Sequence, residues 1–377
     1  MTSEVMRWRD YFLRHGDGFD EFWRSFFAEQ ERDVLFVIGH GFDSRMCEGL
    51  DRLLSLGGQG ARDVALILFH EGPESPSHAY AEQRRVNGDR IEELLRGRGT
   101  IVQRTISMFS EEGRRIGARS IAQEFASSAE FQPYTDVVVD ISALPRGLYL
   151  PLLAKMLALF DLEPREGKRR NLHVVVSHSS ATDSAIVEEG LDDSATYLHG
   201  FAAAALESES TSGQPKIWMP VLGRRQQIQL ERIHTLVSPD EICPLLPSPA
   251  QDPREGDSLM IEYRDLLFDQ LRVEPRNIIY AAESNPFEVY RQLVRSILHY
   301  HRALSPLGGC KVALSAMSSK LASIGVLLAA YELGRRDPKV TVGVAHVEAQ
   351  GYRVERDGVA RCTTLFTMWL SGECYDV

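Results

Sequence analysis

The feature that most constrains this chain is a repeated alternation of short, wholly apolar, β-branched runs with longer helix-like segments. Residues 34–38, 64–69, 100–108, 137–141 and 172–176 read as strands, and residues 46–56, 81–95, 116–126 and 148–160 between them read as helices. Strands that are apolar at every position, rather than at every second one, are buried on both faces. That pattern belongs to a parallel sheet covered by crossover helices. After a polar stretch at 207–214 (ESESTSGQ), read as a linker, the same order starts again. Strands are expected at 217–222, 242–246, 278–282, 312–314 and 340–344, and helices at 226–237, 260–271, 287–301 and 321–333. A hairpin turning at Asp357–Gly358 is expected to end in a strand at 363–369. The expected fold class is α/β, with two Rossmann-like units (doubly wound parallel sheets) in tandem, over residues 33–206 and 215–377. The interval from Ile38 to Asp140 in one half is close to that from Val221 to Ser315 in the other, which favours an internal repeat.

Residues 1–32 precede the first unit and read as an amphipathic helical segment interrupted at Gly16–Gly18. Trp8, Tyr11, Phe12, Phe19, Phe22, Trp23, Phe26 and Phe27 form its aromatic stripe. Such a stripe is either core or a docking face for a protein partner.

Composition removes several function classes. With 53 acidic against 42 basic residues the net charge is −11, which opposes non-specific coating of nucleic acid. A small anionic ligand in a focused basic pocket is still compatible with that charge. No apolar run approaches the ~20 residues of a membrane span, and residues 1–12 carry charges where a signal peptide is apolar. The expected location is therefore the cytoplasm, away from the membrane. The five cysteines are scattered without metal-ligand spacing, and His299 and His301 lie on different faces of a helix, so neither a disulfide framework nor a metal is expected.

In a doubly wound sheet, ligands bind beyond the C-terminal strand ends where the strand order reverses, between the first and fourth strands. In the first half the first strand runs into Gly39, His40, Gly41, Phe42, Asp43, Ser44 and Arg45. This is a G-x-G-x-x-S run, suited to close backbone approach but lacking the third glycine of dinucleotide sites. A tight turn capped by Asp43 or Ser44 is the alternative reading. The fourth strand ends in Asp140, with Ser142, Pro145 and Arg146 following. Arg146 stands at a helix start, where its charge opposes the helix dipole. It gains there from an anionic ligand or from an ion pair with Asp140 or Asp43. The second half offers Gly223, Arg224 and Arg225 after its first strand, and Ser315, Ser318, Ser319 and Lys320 around its fourth. This loop is rich in hydroxyls and again ends in a cation at a helix start. There is no P-loop and no G-x-S-x-G elbow.

On these loops and this tandem order, residues 33–377 resemble the CARF domain and its fused double form, the SAVED domain. These are sensor modules of CRISPR and cyclic-oligonucleotide antiviral defence systems. The resemblance implies nucleotide binding, specifically of a cyclic oligonucleotide, by Gly39–Arg45 and Ser142–Arg146 together with Gly223–Arg225 and Ser315–Lys320. No cofactor is assigned on this reading. About thirty N-terminal residues are too few for a nuclease or NADase, so a sensor of this kind is expected to need a partner protein, or to cleave the ligand itself as a phosphodiesterase.

A rival reading is an S-adenosylmethionine-dependent methyltransferase. Gly39 and Gly41 would face the methionine end, Glu71 the ribose, and Asp140–Pro145 the methyl acceptor. Glu71 lies farther from Gly39 than the ~20 residues usual for a ribose acid. A third reading is a non-catalytic Rossmann scaffold subunit of a complex.

Overall fold

The structure is a computed structural model that describes residues 6–163, 169–201, 206, 213–336, 340–355 and 363–375. The Asp357–Gly358 turn, Cys362 and most of the 207–214 linker lie outside the described residues. In chain order the first strands are β1 (Phe12–His15), β2 (Val34–Gly39), β3 (Arg62–His70), β4 (Ile101–Ser107), β5 (Asp136–Asp140), β6 (Asn171–His178), β7 (Ile186–Leu191) and β8 (Thr196–Tyr197). They are followed by β9 (Lys216–Val221), β10 (Glu241–Ile242), β11 (Leu245–Pro247), β12 (Ile279–Ala281), β13 (Lys311–Ala316), β14 (Thr341–His346), β15 (Ala349–Val354) and β16 (Thr364–Ser371).

The chain is α/β, with two Rossmann-like units built on seven-stranded, mainly parallel sheets. The first-sheet unit comprises Asp10–Gly190 and Ala349–Val377, and the second-sheet unit comprises Met1–Arg9 and Leu191–Glu348. The first sheet runs β1-β16-β6-β5-β2-β3-β4, and the second runs β12-β11-β9-β13-β14-β8 with β10 beside β9. Apart from the antiparallel edge strands β1 and β8, each chain path starts at a central strand, builds outward on one side, then crosses back to the other side. The order therefore reverses between β2 and β5 in one sheet and between β9 and β13 in the other. These central strands are buried along their whole length or nearly so, which is why their sequences show no alternation. β4, at an edge, is mostly exposed.

Helix Arg146–Asp161 covers the first sheet and is buried on nearly every side, consistent with a sequence that is apolar between its ends except at Lys155. In the second-sheet unit, helix Pro286–Ala303 starts where Asn285 Oδ1 accepts from the backbone N–H of Phe287 and of Glu288, with Pro286 in the first turn.

Five expectations are corrected. The N-terminal segment is not helical throughout, since β1 pairs antiparallel with β16 before helix Asp17–Glu29 begins. Its aromatic stripe is core, not a docking face. Phe19, Trp23, Phe26 and Phe27 are buried in one cluster with Phe36, Val64, Val138 and Trp369. Trp8 instead packs edge-on against Tyr290 in the second-sheet unit.

The C-terminal strand does not close the second sheet. β16 pairs with β6, burying Met368 and Leu370 and covering an edge that the parallel strands leave open. β15 pairs with β7 rather than with β16, and β8 completes the second sheet antiparallel to β14. Residues 191–206 and 349–377 have therefore exchanged units relative to the expected boundaries.

Finally, the strand expected at 242–246 is broken into β10 and β11 around Pro244, which has no N–H for a ladder.

Candidate functional site

At the reversal point of the first sheet, the loop after β2 packs directly on the loop after β5. A Cβ on Gly39 would lie 2.6 Å from Leu144 Cδ2, and one on Gly41 would lie 2.9 Å from Ala143 Cβ. The two glycines are thus explained by loop-to-loop packing. Asp43 caps the short turn Ser44–Cys47 by accepting from the backbone N–H of Arg45 at 3.0 Å. The Arg45 side chain is buried between carboxylates. Nε donates to Asp43 Oδ2 at 2.8 Å and Nη1 donates to Asp183 Oδ1 at 2.7 Å. Burial alone would lower its pKa, but Asp183 and Asp43 reverse that and raise it.

Asp140 lies under Gly49, where no Cβ would fit, and its Oδ1 accepts from Ser142 N–H at 2.8 Å. Ser142 Oγ accepts from Ser177 N–H at 2.9 Å, tying the loop after β5 to β6. Arg146 opens helix Arg146–Asp161 and faces Glu188 on β7, with Nη1 to Oε1 at 3.4 Å. Burial, the largest influence, would lower its pKa, but the Glu188 charge together with Tyr149 and Tyr352 more than offsets that and raises it. The dipole-opposed charge is thereby compensated within the unit. The ion pair expected with Asp140 or Asp43 falls to Glu188 at Arg146, while Asp43 holds Arg45.

The second-sheet unit repeats this tactic. A Cβ on Gly223 would collide with the Met317 carbonyl, so the first-strand loop again rests on the fourth-strand loop. Tyr263 holds the turn, donating its O–H to Gly223 O at 2.6 Å and accepting from Gln226 N–H at 2.8 Å. Arg224 pairs with Glu255, and Arg225, with φ 58°, donates its backbone N–H to Glu262 at 2.5 Å. Ser315 is a core residue, its Oγ accepting from Trp218 Nε1 at 2.9 Å. Ser319 Oγ accepts from Ala322 N–H at 3.2 Å at the start of helix Lys320–Arg336. Ser318, Ser319 and Lys320 are half-buried.

The structure therefore does not use Arg45, Arg146 and Arg224 as open cations at the reversal points; each has a carboxylate of its own unit. The open space lies one strand away. A cavity of about 520 Å³ sits beyond the C-terminal ends of β2 and β3, lined by His40, His70, Glu71, Gly72, His78 and Arg84 among others. His40 is the one residue of the expected β2 loop that lines it, and its Nε2 meets Arg84 O at 2.9 Å. Phe42 turns aside to stack on Tyr80, ring centroids 4.5 Å apart.

Glu71 is 5% exposed, and its Oε2 accepts from Ser75 Oγ at 2.8 Å. Arg84 lies on helix Ala81–Leu95, and its guanidinium has no hydrogen bond or ion pair among the described residues. Among those residues no cluster suits a metal ion, and no helix is long and apolar enough to cross a membrane. His70, His78 and Arg84 escaped the sequence reading. Their only signal was adjacency to Glu71 and the next helix, which becomes meaningful once β3 is known to flank β2.

A two-stranded ribbon, β7 with β15, is fastened to the turn beside this cavity. Tyr352 N–H donates to Ser77 Oγ at 3.0 Å and Val354 N–H donates to Tyr80 Oη at 2.9 Å. Gly351 sits against Ser75, with Pro76 Cδ 2.8 Å from where a Cβ would stand.

No family model matches the chain, and no curated protein matches it. Among solved structures it is similar to a Type III CRISPR defence DNA nuclease activated by cyclic oligoadenylate. That likeness has a TM-score of 0.44 at 11% identity, over 78% of this chain and 63% of that one. The chain thus spans less than two thirds of that nuclease. A universal stress protein from Archaeoglobus fulgidus is similar with a TM-score of 0.21 at 9% identity, over 82% of this chain and 94% of that one. An N,N-8-amino-8-demethyl-D-riboflavin dimethyltransferase from Streptomyces davawensis is similar with a TM-score of 0.20 at 11% identity, over 43% of this chain and 38% of that one.

Proposed function

We propose that the first-sheet unit binds an anionic nucleotide in the cavity of His40, Glu71 and Arg84. On this reading the chain is a ligand-binding sensor subunit of a prokaryotic anti-phage system, with a cyclic oligonucleotide as ligand. The observation that carries the binding half is Arg84. Its guanidinium is without a carboxylate partner among the described residues, on a concave surface at the C-terminal strand ends, while Arg45, Arg146 and Arg224 are paired. A guanidinium left in that state gains most from a phosphate oxygen. The cavity is of a size that takes small-molecule ligands. The sensor half is supported by the resemblance of the tandem units to CARF and SAVED modules. In the second-sheet unit, Ser318, Ser319 and Lys320 are the residues proposed to meet an anionic group.

Thermal-shift measurements against cyclic oligoadenylates, mononucleotides and S-adenosylmethionine test this reading. A ligand at a hundred times its Kd stabilises by about 2.7 kcal/mol. The nucleotide should raise Tm in the parent protein and in Arg224→Ala, and should have no effect on Arg84→Ala. Absence of any nucleotide effect, or full retention in Arg84→Ala, would overturn the reading.

A second reading uses the same cavity. Glu71 and His40 line one space next to the glycine loop, which also suits the ribose of S-adenosylmethionine. Stabilisation by that compound alone, removed by Glu71→Ala, would replace the sensor with a methyltransferase.

A further inference from the structure

The cavity is lined by a carboxylate, Glu71, as well as by the Arg84 guanidinium, and the carboxylate has its own chemistry. Glu71 is almost wholly buried, yet among the described residues it has no Lys, Arg or His partner and one hydrogen bond, from Ser75 Oγ to Oε2. Ser75 is itself buried and cannot swing away. Its Oγ also accepts from Ser77 N–H at 3.2 Å, and Ser77 Oγ accepts from Tyr352 N–H of the ribbon. The carboxylate is thus held by one oxygen while it lines the cavity. A carboxylate oxygen accepts hydrogen bonds, and one that a ligand covers without offering it a donor is costly to desolvate. A phosphate cannot supply that donor and would be repelled. A ligand hydroxyl can.

From this geometry, and resting on the nucleotide reading above, we infer that Glu71 is a specificity residue that accepts a hydrogen bond from the ribose 2′-hydroxyl of the ligand, so that the site selects ribonucleotides over 2′-deoxyribonucleotides. In a 3′,5′-linked cyclic oligonucleotide the 2′-hydroxyl is the sugar donor left over after both ester bonds are made. The phosphate is directed to Arg84, and the sugar edge to Glu71. Selection arises in the same way as in any site built to pair a hydroxyl: the analogue lacking it leaves the buried acceptor unmatched.

The test is isothermal titration of the full chain with cyclic tri- and tetra-adenylate, AMP and ATP, each beside its 2′-deoxy counterpart. The expected result is at least tenfold tighter binding of the ribonucleotide. Glu71→Gln, which replaces one acceptor oxygen by an amide donor, should bring the two affinities together by weakening the ribonucleotide. Ser75→Ala, which removes the tether to Glu71 and the acceptor for Ser77 N–H, should reduce the preference in the same direction and serves if Glu71→Gln does not fold. Equal affinities in the parent protein, or a preference that survives in the folded variant, overturn this inference while leaving the nucleotide reading intact. Failure of every nucleotide to bind overturns that reading and this inference together.

Discussion

Arg45 and Asp183, far apart in sequence, meet at 2.7 Å beside the reversal point of the first sheet. Asp183 is also paired with His178 Nδ1 at 3.0 Å. Burial on its own pushes the Asp183 carboxyl up, but the His178 hydrogen bond and the Arg45 charge together bring it down to about 2. An aspartate with a folded-state pKa below its unfolded value of about 3.9 adds stability above that value and loses it as pH falls through the folded value. Asp183→Asn should therefore cost about 2 kcal/mol at pH 7. The gap between variant and parent should close between pH 4 and pH 2, as read by urea denaturation across that range. A gap that is constant down to pH 2 would mean that the pair contributes no charge-dependent stability.

The glycines of the β2 loop are predicted to matter for packing. Gly39→Ala sets a methyl group against the Leu144 side chain and should cost about 1–3 kcal/mol. Leu144→Ala should cost about 2–5 kcal/mol alone. The double variant should be more stable than the sum predicts by roughly 1 kcal/mol, since the second change removes the first one's obstacle. Gly223→Ala meets a backbone carbonyl instead, and Met317→Ala should not rescue it. Thermal denaturation of the four single variants and the two double variants measures both patterns.

Gly351 ties the ribbon to the cavity. A valine there has no room against Ser75 and Pro76, so Gly351→Val should displace the turn that holds Glu71. The expected outcome is a stability loss of about 1–3 kcal/mol together with weaker nucleotide binding. Normal binding in a folded Gly351→Val protein would show that the ribbon's seat does not set the cavity's shape.

Trp23 distinguishes core from docking face. It is fully buried among Phe19, Phe26, Phe27 and His173. Trp23→Ala should cost about 3–5 kcal/mol in denaturant unfolding. A near-neutral effect would return the stripe to the surface.

These particulars explain what could be read from the sequence. The parallel strands were legible because burial on both faces leaves an unbroken apolar run, as in VVVD before Ile141. The pairing of β16 with β6 was not, because an antiparallel strand from the far end of the chain carries no local mark of its partner. The loops at the reversal points were located correctly, but charge balance is a property of contacts. Nothing near Arg146 in sequence announces Glu188, and nothing near Arg45 announces Asp183. The cavity was half legible. Glu71 stood out as an acid after a strand, whereas Arg84 gained meaning only when its helix was brought over His40.

A crystal structure of the full chain with a stabilising nucleotide bound tests the location of the site most directly. Density is predicted in the space between His40, Glu71 and Arg84, with a phosphate oxygen within hydrogen-bonding distance of the Arg84 guanidinium. A nucleotide held instead by Arg45 or Arg146 after their carboxylate pairs have opened, with the cavity beside β3 empty, would contradict it.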